Sequence, residues 1–328
     1  QSVNDNILAN IVGQSKKIQL VLSQTLRFAE LDLPVLITGD TGTGKELIAR
    51  ALHQASSRKE APFLSINCAA LPEQLLESEL FGYESGAFTG AAKGGKPGLF
   101  ELANGGTVFL DEVAEMSIYL QAKLLRFLQD YRYRRLGGTK ELSANIKIIS
   151  ATHQNLSSLI EKQQFREDLF YRLNVLTLDL PALNKRVDDI PLLVNHFVIN
   201  AAKQVSQPQP KFTAAALALL QEYQWPGNIR QLENVIFRLV ALSTSASIQR
   251  DEVKSILYDQ EHRKNDLPKI RQQLNISDWS SAQQHFEKTL LEELYPLYPS
   301  TRKLAERLKV SHNKIAMKLR TYQINKNE

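Results

Sequence analysis

Two patterns alternate along residues 11–180. Short apolar runs at 35–38, 63–67, 108–111, 146–151 and 175–180 are separated by longer stretches with helical spacing. That rhythm predicts a mostly parallel sheet with helices on both faces. Beyond residue 187 the strand-like runs stop, and 187–258 read as helices. One starts near Thr213, with Ala216, Leu217, Leu219 and Leu220 as apolar positions; another follows Trp225-Pro226-Gly227, with Asn228 as its N-cap. Residues 259–279 are polar and charged, include Pro268, and read as a linker.

The helical pattern then resumes. Ala282, Phe286, Leu290 and Leu294 recur every four residues as one apolar stripe. After Pro299-Ser300 a short helix runs from Thr301 to Leu308. Lys309-Val310-Ser311 makes a turn, and a last helix begins at His312 with Ser311 as its cap. Two short helices and a tight turn predict a helix-turn-helix, with Leu304, Ala305, Leu308, Val310, Ile315 and Leu319 as its core. Lys309 stands where glycine usually takes the left-handed conformation, at a cost on the order of 1 kcal/mol.

Candidate chemistry sits at the ends of the apolar runs. Gly39-Asp40-Thr41-Gly42-Thr43-Gly44-Lys45-Glu46 follows the first run and opens a helical pattern. Strand, glycine-rich loop and helix form the setting of a Walker A loop. The glycines let backbone N–H groups converge, and the helix N-terminus adds partial positive charge, so the loop should bind a nucleoside triphosphate. Lys45 supplies a cation for the outer phosphates. Glu46 replaces the usual Ser or Thr ligand of magnesium, so the metal needs another partner. The run ending in Asp111-Glu112 supplies one, as a Walker B pattern: Asp111 for Mg2+, Glu112 to polarise the attacking water. The implied reaction is phosphoryl transfer from ATP to water.

Charge changes the picture at one end only. Residues 301–328 hold eight lysines and arginines against two glutamates, a net +6, in a chain of 328 residues whose total is +5. Concentrated basicity on a helix-turn-helix points to double-stranded DNA. Ser311, His312, Asn313 and Lys314 are expected nearest the bases, with Arg302, Lys303 and Lys318 as phosphate contacts. The stripe from 282 to 294 should pair two copies on a palindromic site. No apolar stretch approaches membrane-spanning length, no signal peptide is visible, and Cys68 is the sole cysteine. The expectation is a cytoplasmic chain without membrane partners or internal disulfides. The chain begins at Gln1 rather than Met, which leaves room for a preceding segment.

Together these motifs resemble the AAA+ bacterial enhancer-binding proteins, the sigma-54-type transcription activators. Glu79-Leu80-Phe81-Gly82-Tyr83-Glu84 followed by Gly86-Ala87-Phe88-Thr89-Gly90 is similar to that family's signature loop, which implies contact with sigma-54. Asn67 resembles the switch asparagine that holds the Walker B glutamate. Thr152 matches the sensor I threonine, while the next residue, His153, departs from the family's usual Asn. Arg166 and Arg172 fall where arginine fingers would reach a neighbouring subunit's ATP, and Arg230 resembles the sensor II arginine of the lid. The segment Tyr298-Pro299-Ser300-Thr301-Arg302-Lys303-Leu304-Ala305 is similar to the DNA-binding end of the TyrR family, as is the region around 31–45.

The TyrR resemblance implies a repressor or activator of genes for aromatic amino acid biosynthesis and transport, with an aromatic amino acid as effector. Its promoters often use sigma-70, and its N-terminal ACT and PAS sensing domains find no counterpart in these residues. Well-known TyrR members lack the Gly-Ala-Phe-Thr-Gly loop; this chain keeps it, so RNA polymerase with either sigma-54 or sigma-70 is a candidate partner. The implied fold is α/β: an AAA+ P-loop NTPase subdomain over 1–182 and a helical lid over 183–258. A linker over 259–279 leads to a small all-α, Fis-type helix-turn-helix over 280–328. The implied assembly is a homodimer to hexamer.

Overall fold

The computed structural model describes residues 11–87, 94–243, 245–258, 279–296, 298, 300–322 and 324. The chain divides into two compact units, Gln1–Ile256 and Leu257–Glu328.

Five strands build the sheet of the first unit: β1 (Val35–Thr38), β2 (Phe63–Asn67), β3 (Thr107–Asp111), β4 (Lys147–Thr152) and β5 (Leu176–Asp179). All are parallel, in the order β2-β3-β4-β1-β5. The central runs β1, β3 and β4 are buried along nearly their whole length because both faces are covered, while the edge strands β2 and β5 are only partly buried. On one face Ile18, Ile48 and Leu52, from helices α1 (Lys16–Ala29) and α2 (Lys45–Gln54), pack on Ile37, Phe109 and Ile149. On the other, α3 (Glu73–Phe81), α4 (Ile118–Asp130) and α5 (Glu167–Leu173) bury Leu76, Leu80, Leu124, Phe127 and Leu169 against Leu36, Leu110 and Ile148. The register pairs Asn67 with Asp111 and Thr38 with Thr152, so the C-terminal ends of β2, β3, β4 and β1 meet along one edge. Binding loops of open parallel sheets gather at that edge.

Two short antiparallel pairs interrupt the α/β rhythm: Gly82–Tyr83 with Lys96–Pro97, and Arg132–Tyr133 with Leu142–Ser143. Residues 88–93, and with them Phe88, Thr89 and Gly90 of the loop expected at 86–90 to contact sigma-54, lie outside the described residues. The base of that loop is anchored. Leu136 N donates to Gly82 O and Glu84 N to Leu136 O, each at 2.9 Å. Arg135 also pairs with Glu84 and Glu101.

The lid is helical as its sequence predicts, with α6 (Ile190–Val205), α7 (Ala214–Glu222) and α8 (Asn228–Leu242). Thr213 caps α7 by accepting from Ala216 N. A two-residue parallel pair, Lys211–Phe212 with Ser247–Ile248, is an addition that the apolar pattern does not reveal. Asn228 is no side-chain cap. It opens α8 at φ 50°, and its side chain bonds elsewhere.

The second unit holds α9 (Trp279–Leu294), α10 (Thr301–Leu308) and α11 (His312–Thr321). Leu304, Ala305, Ile315 and Leu319 are buried, with Leu308 and Val310 packed against them, as the pattern predicts. Lys309 adopts the left-handed turn at φ 55°, and Ser311 caps α11 by accepting from Lys314 N. The expected stripe on α9 is kept in part: Leu294 packs against the core, but the buried leucine is Leu291 rather than Leu290, and Phe286 is 65% exposed. Leu291 faces Leu304 and Ile315, so packing on the helix pair selects that side of α9. The Ala282 side chain and residues 259–278, nearly all of the expected linker, lie outside the described residues. No helix among the described residues is long and apolar enough to cross a membrane.

Candidate nucleotide site and DNA-binding helix pair

Between β1 and α2 the glycine-rich loop turns back on itself because Gly39, Gly42 and Gly44 all take positive φ, at 150°, 81° and 99°. Side chains rarely adopt these angles without strain. Thr43 closes the turn, its hydroxyl donating to Asp40 O at 2.8 Å. Lys45, 7% exposed, donates to Gly39 O at 2.9 Å and Asp40 O at 3.4 Å, and lies 3.8 Å from Glu112. Glu46 instead pairs with Arg50 at 2.6 Å on the exposed side of α2.

The lid closes on this loop. Ile229 N and Arg230 N, at the start of α8, donate to Gly42 O at 2.9 and 3.3 Å. Asn228 bridges from beside them, its Nδ2 donating to Thr41 O and its Oδ1 accepting from Leu183 N. The Arg230 side chain itself is exposed. Beside Thr43 and Gly44 opens a cavity of about 360 Å³, walled by Ile11, Val12, Leu180, Phe197 and Ile229. It is largely apolar with His196, Asn200 and Glu233 among its polar walls, lies next to the phosphate loop, and is of a size that suits a nucleotide base. A larger cavity, about 750 Å³, lies beside the Arg132–Tyr133 hairpin; it lacks the glycine loop and the paired acids, so chemistry rather than volume marks the site.

Arg186 and Asp189 hold one wall in place. The Asp189 carboxylate accepts from Gln14 N, Ser15 N and Ser15 Oγ, at 2.6 to 2.8 Å, and pairs with Arg186 at 2.9 Å. Burial alone would push its acidity the other way, but these bonds and the guanidinium hold the carboxyl below the usual range. Neither residue stands out in sequence; the sole signal is an oppositely charged pair three apart.

At the end of β3, Asp111 accepts from Glu112 N at 3.0 Å. Burial, and then the Glu112 charge, raise its pKa. Burial beside the same acids pushes the Cys68 thiol up to about 12, which leaves it inert. No cluster of three or more metal-binding side chains exists among the described residues. Magnesium is ordinarily held by one or two carboxylates with phosphate and water, so Asp111 fits as its protein ligand.

Glu112 takes a left-handed backbone at φ 53°. Its Oε2 accepts from His153 Nδ1 at 2.6 Å and from His153 N at 3.3 Å. No hydrogen bond from Asn67 to Glu112 is found among the described residues; Asn67 Oδ1 accepts from Ala69 N at 2.9 Å. Thr152 is fully buried, its hydroxyl accepting from Gln154 N. Arg166 is half-buried and pairs with Asp168 at 2.7 Å, and Arg172, though exposed, donates to Leu128 O and Gln129 O within its own chain.

In the second unit Ser311, His312, Asn313 and Lys314 are exposed at the start of α11, and Arg302 and Lys303 are exposed on α10. His312 contacts Thr301 at 2.8 Å. Lys318 is not a free cation: it pairs with Glu287 at 2.5 Å, and the Tyr322 hydroxyl donates to the same carboxylate. Tyr322 and Glu287 thereby tie α11 to α9.

Residues 11–179 match the sigma-54 interaction domain, residues 184–270 the AAA+ ATPase lid domain, and residues 278–325 a helix-turn-helix domain. The HTH-type transcriptional regulatory protein TyrR of Enterobacter agglomerans is 45% identical over 321 residues, covering 95% of this chain and 59% of that protein. The DNA-binding transcriptional activator HyfR of Escherichia coli K12 is 48% identical over 241 residues, covering 74% of this chain and 36% of that protein. Crystal structures of NtrX from Brucella abortus in complex with ADP and with ATP superpose with TM-scores of 0.73 and 0.72 at 34% identity, covering 96% of this chain and 69% of theirs. The chain spans about 59% of the length of the first TyrR relatives.

Proposed function

The chain belongs to the sigma-54 interaction domain family of AAA+ proteins, and from that membership we propose that it is a TyrR-like, ATP-binding and ATP-hydrolysing DNA-binding regulator of transcription. One observation carries the reading: the lid's amides at Ile229 and Arg230 sit on the Gly42 carbonyl, which places lid, phosphate loop, Lys45 and Glu112 around one point. The ADP and ATP complexes of NtrX support a nucleotide there.

In this reading Lys45 and the amides of 39–46 hold the phosphates, with Arg230 reaching in from the lid. Asp111 holds Mg2+, which supplies charge neutralisation at the phosphates when bound. Glu112 accepts a proton from the attacking water. Thr152 senses the nucleotide. Arg166 and Arg172 reach a neighbouring subunit's ATP once released from Asp168 and from the carbonyls at the end of α4. The division into 1–182, 183–258, 259–279 and 280–328 is part of the same reading. The exposed start of α11 reads DNA bases in a palindromic operator.

The regulated genes, on the TyrR likeness, are those of aromatic amino acid metabolism, with an aromatic amino acid as effector. A second reading, remodelling of the sigma-54 holoenzyme, is favoured by the retained loop at 86–90, whose base at Gly82–Glu84 is fastened to Leu136 and Arg135. Open-complex formation with purified sigma-54 and sigma-70 polymerases, with ATP, tests both. ATP-dependent opening with sigma-54 supports remodelling; regulation confined to sigma-70 promoters supports the TyrR-like role. If neither polymerase responds at a bound operator, both fail.

A further inference from the structure

Glu112 is held by a residue that its family resemblance does not assign. One of its oxygens receives two donors from His153, Nδ1 at 2.6 Å and the backbone N–H at 3.3 Å. An ionised carboxylate only accepts, so Nδ1 carries the proton. Charge-assisted bonds of this length are the strong ones. An oxygen occupied in this way is less able to take a proton from water. Asn67, the expected holder, could bond a carboxylate only through its Nδ2, and no bond from it to Glu112 is found among the described residues; its Oδ1 accepts from Ala69 N.

We propose that His153 is a positioning residue that restrains Glu112 until the nucleotide is sensed. The proposal rests on the reading of Glu112 as the water-activating group. Its logic lies in β4. Thr152 ends that strand, buried and in register with Thr38, one residue before the phosphate loop. His153 is the next residue. A shift of the strand end on sensing phosphate moves the His153 backbone N–H and ring together, and both leave Glu112 at once. Asn67 would need a separate movement of β2. The replacement of asparagine by histidine at 153 also makes chemical sense. Asn Nδ2 and His Nδ1 are both bonded to Cγ, so either side chain presents a donor at the same distance along its own chain.

The test is steady-state ATP turnover, ATP affinity and thermal unfolding of the full chain carrying His153→Ala, His153→Leu or His153→Asn, beside Glu112→Gln. A lost charge-assisted bond shifts an equilibrium by about tenfold or more. His153→Ala should therefore raise kcat about tenfold with KM little changed, and His153→Asn should return kcat toward wild type. His153→Leu keeps the bulk without the donor and should behave as Ala does, which covers instability in the Ala variant. A folded His153→Ala or His153→Leu with wild-type kcat, or with the low turnover of Glu112→Gln, overturns the proposal. So does His153→Asn remaining as fast as His153→Ala. Full turnover in Glu112→Gln is a different result: it removes the reading of Glu112 and this proposal with it.

Discussion

Replacing Asp189 with alanine should loosen the N-terminal segment from the lid. Asp189 is 0% exposed and Arg186 3%. The carboxylate takes the amides of Gln14 and Ser15, the Ser15 hydroxyl and the Arg186 guanidinium, while Arg186 Nη2 donates to Val12 O at 2.8 Å. Alanine leaves that guanidinium buried without its counter-charge. Breaking a buried pair from one side costs about 3–5 kcal/mol, and each orphaned amide about 1–3 kcal/mol. Water entering beside Gln14 offsets much of the second cost, so the expected loss is about 4 kcal/mol. In a unit of this size that lowers the unfolding midpoint by about 8–16 °C. Ile11 and Val12 wall the cavity beside the phosphate loop, so ATP should also protect the variant less than the wild type. Calorimetry or fluorescence melting with and without ATP reads both effects. The double variant Arg186→Met/Asp189→Leu removes both charges and should recover most of the loss. A single-variant loss below about 1 kcal/mol, or a double variant worse than the single, refutes the reasoning.

Three other outcomes follow. Gly42→Ala should abolish tight ATP binding in a titration, because a Cβ there would lie 2.4 Å from Gly227 O and φ is 81°. Asn313→Ala should cost about 1–3 kcal/mol on the specific operator and much less on random duplex, as base contacts do. Glu287 is held down to about 2, chiefly by its bond from Lys318 and then by that from Tyr322. Its unfolded value is near 4.3, so its contribution is complete above that and is lost as pH falls toward 2. Circular dichroism of an acid titration should show helix loss in that window, and Glu287→Gln should be less stable at neutral pH yet lose less helix across the same window, the remainder coming from groups such as Asp189.

The phosphate loop was readable because all its residues are contiguous and its geometry depends on glycine. The three central strands were readable because burial on both faces makes them mostly apolar runs, and the two edge strands, Phe63–Asn67 and Leu176–Asp179, because they still carry apolar residues between turns. The order of those strands was not, since pairing is a long-range choice. The hairpins at Gly82–Tyr83 and Arg132–Tyr133 are two residues long, too short to show a period. Lys147 shows how tertiary context hides in a pattern. It opens β4 yet is buried, and it donates to the carbonyls of Phe28, Ala29 and Leu31 at the end of α1. Asn228 read as a local cap because its neighbours are Pro226 and Gly227, and its bonds to Thr41 and Leu183 span more than forty residues in each case. Lys318 read as a phosphate contact from charge alone; only the fold brings Glu287 beside it.

The account turns on Glu112 as the group that converts bound ATP into work, so the most direct test compares ATP binding and turnover in wild type and Glu112→Gln at one protein concentration. The account predicts unchanged ATP affinity and turnover lowered by at least about a hundredfold, the scale of a lost general base. Wild-type turnover in a Glu112→Gln protein that binds ATP normally would contradict it.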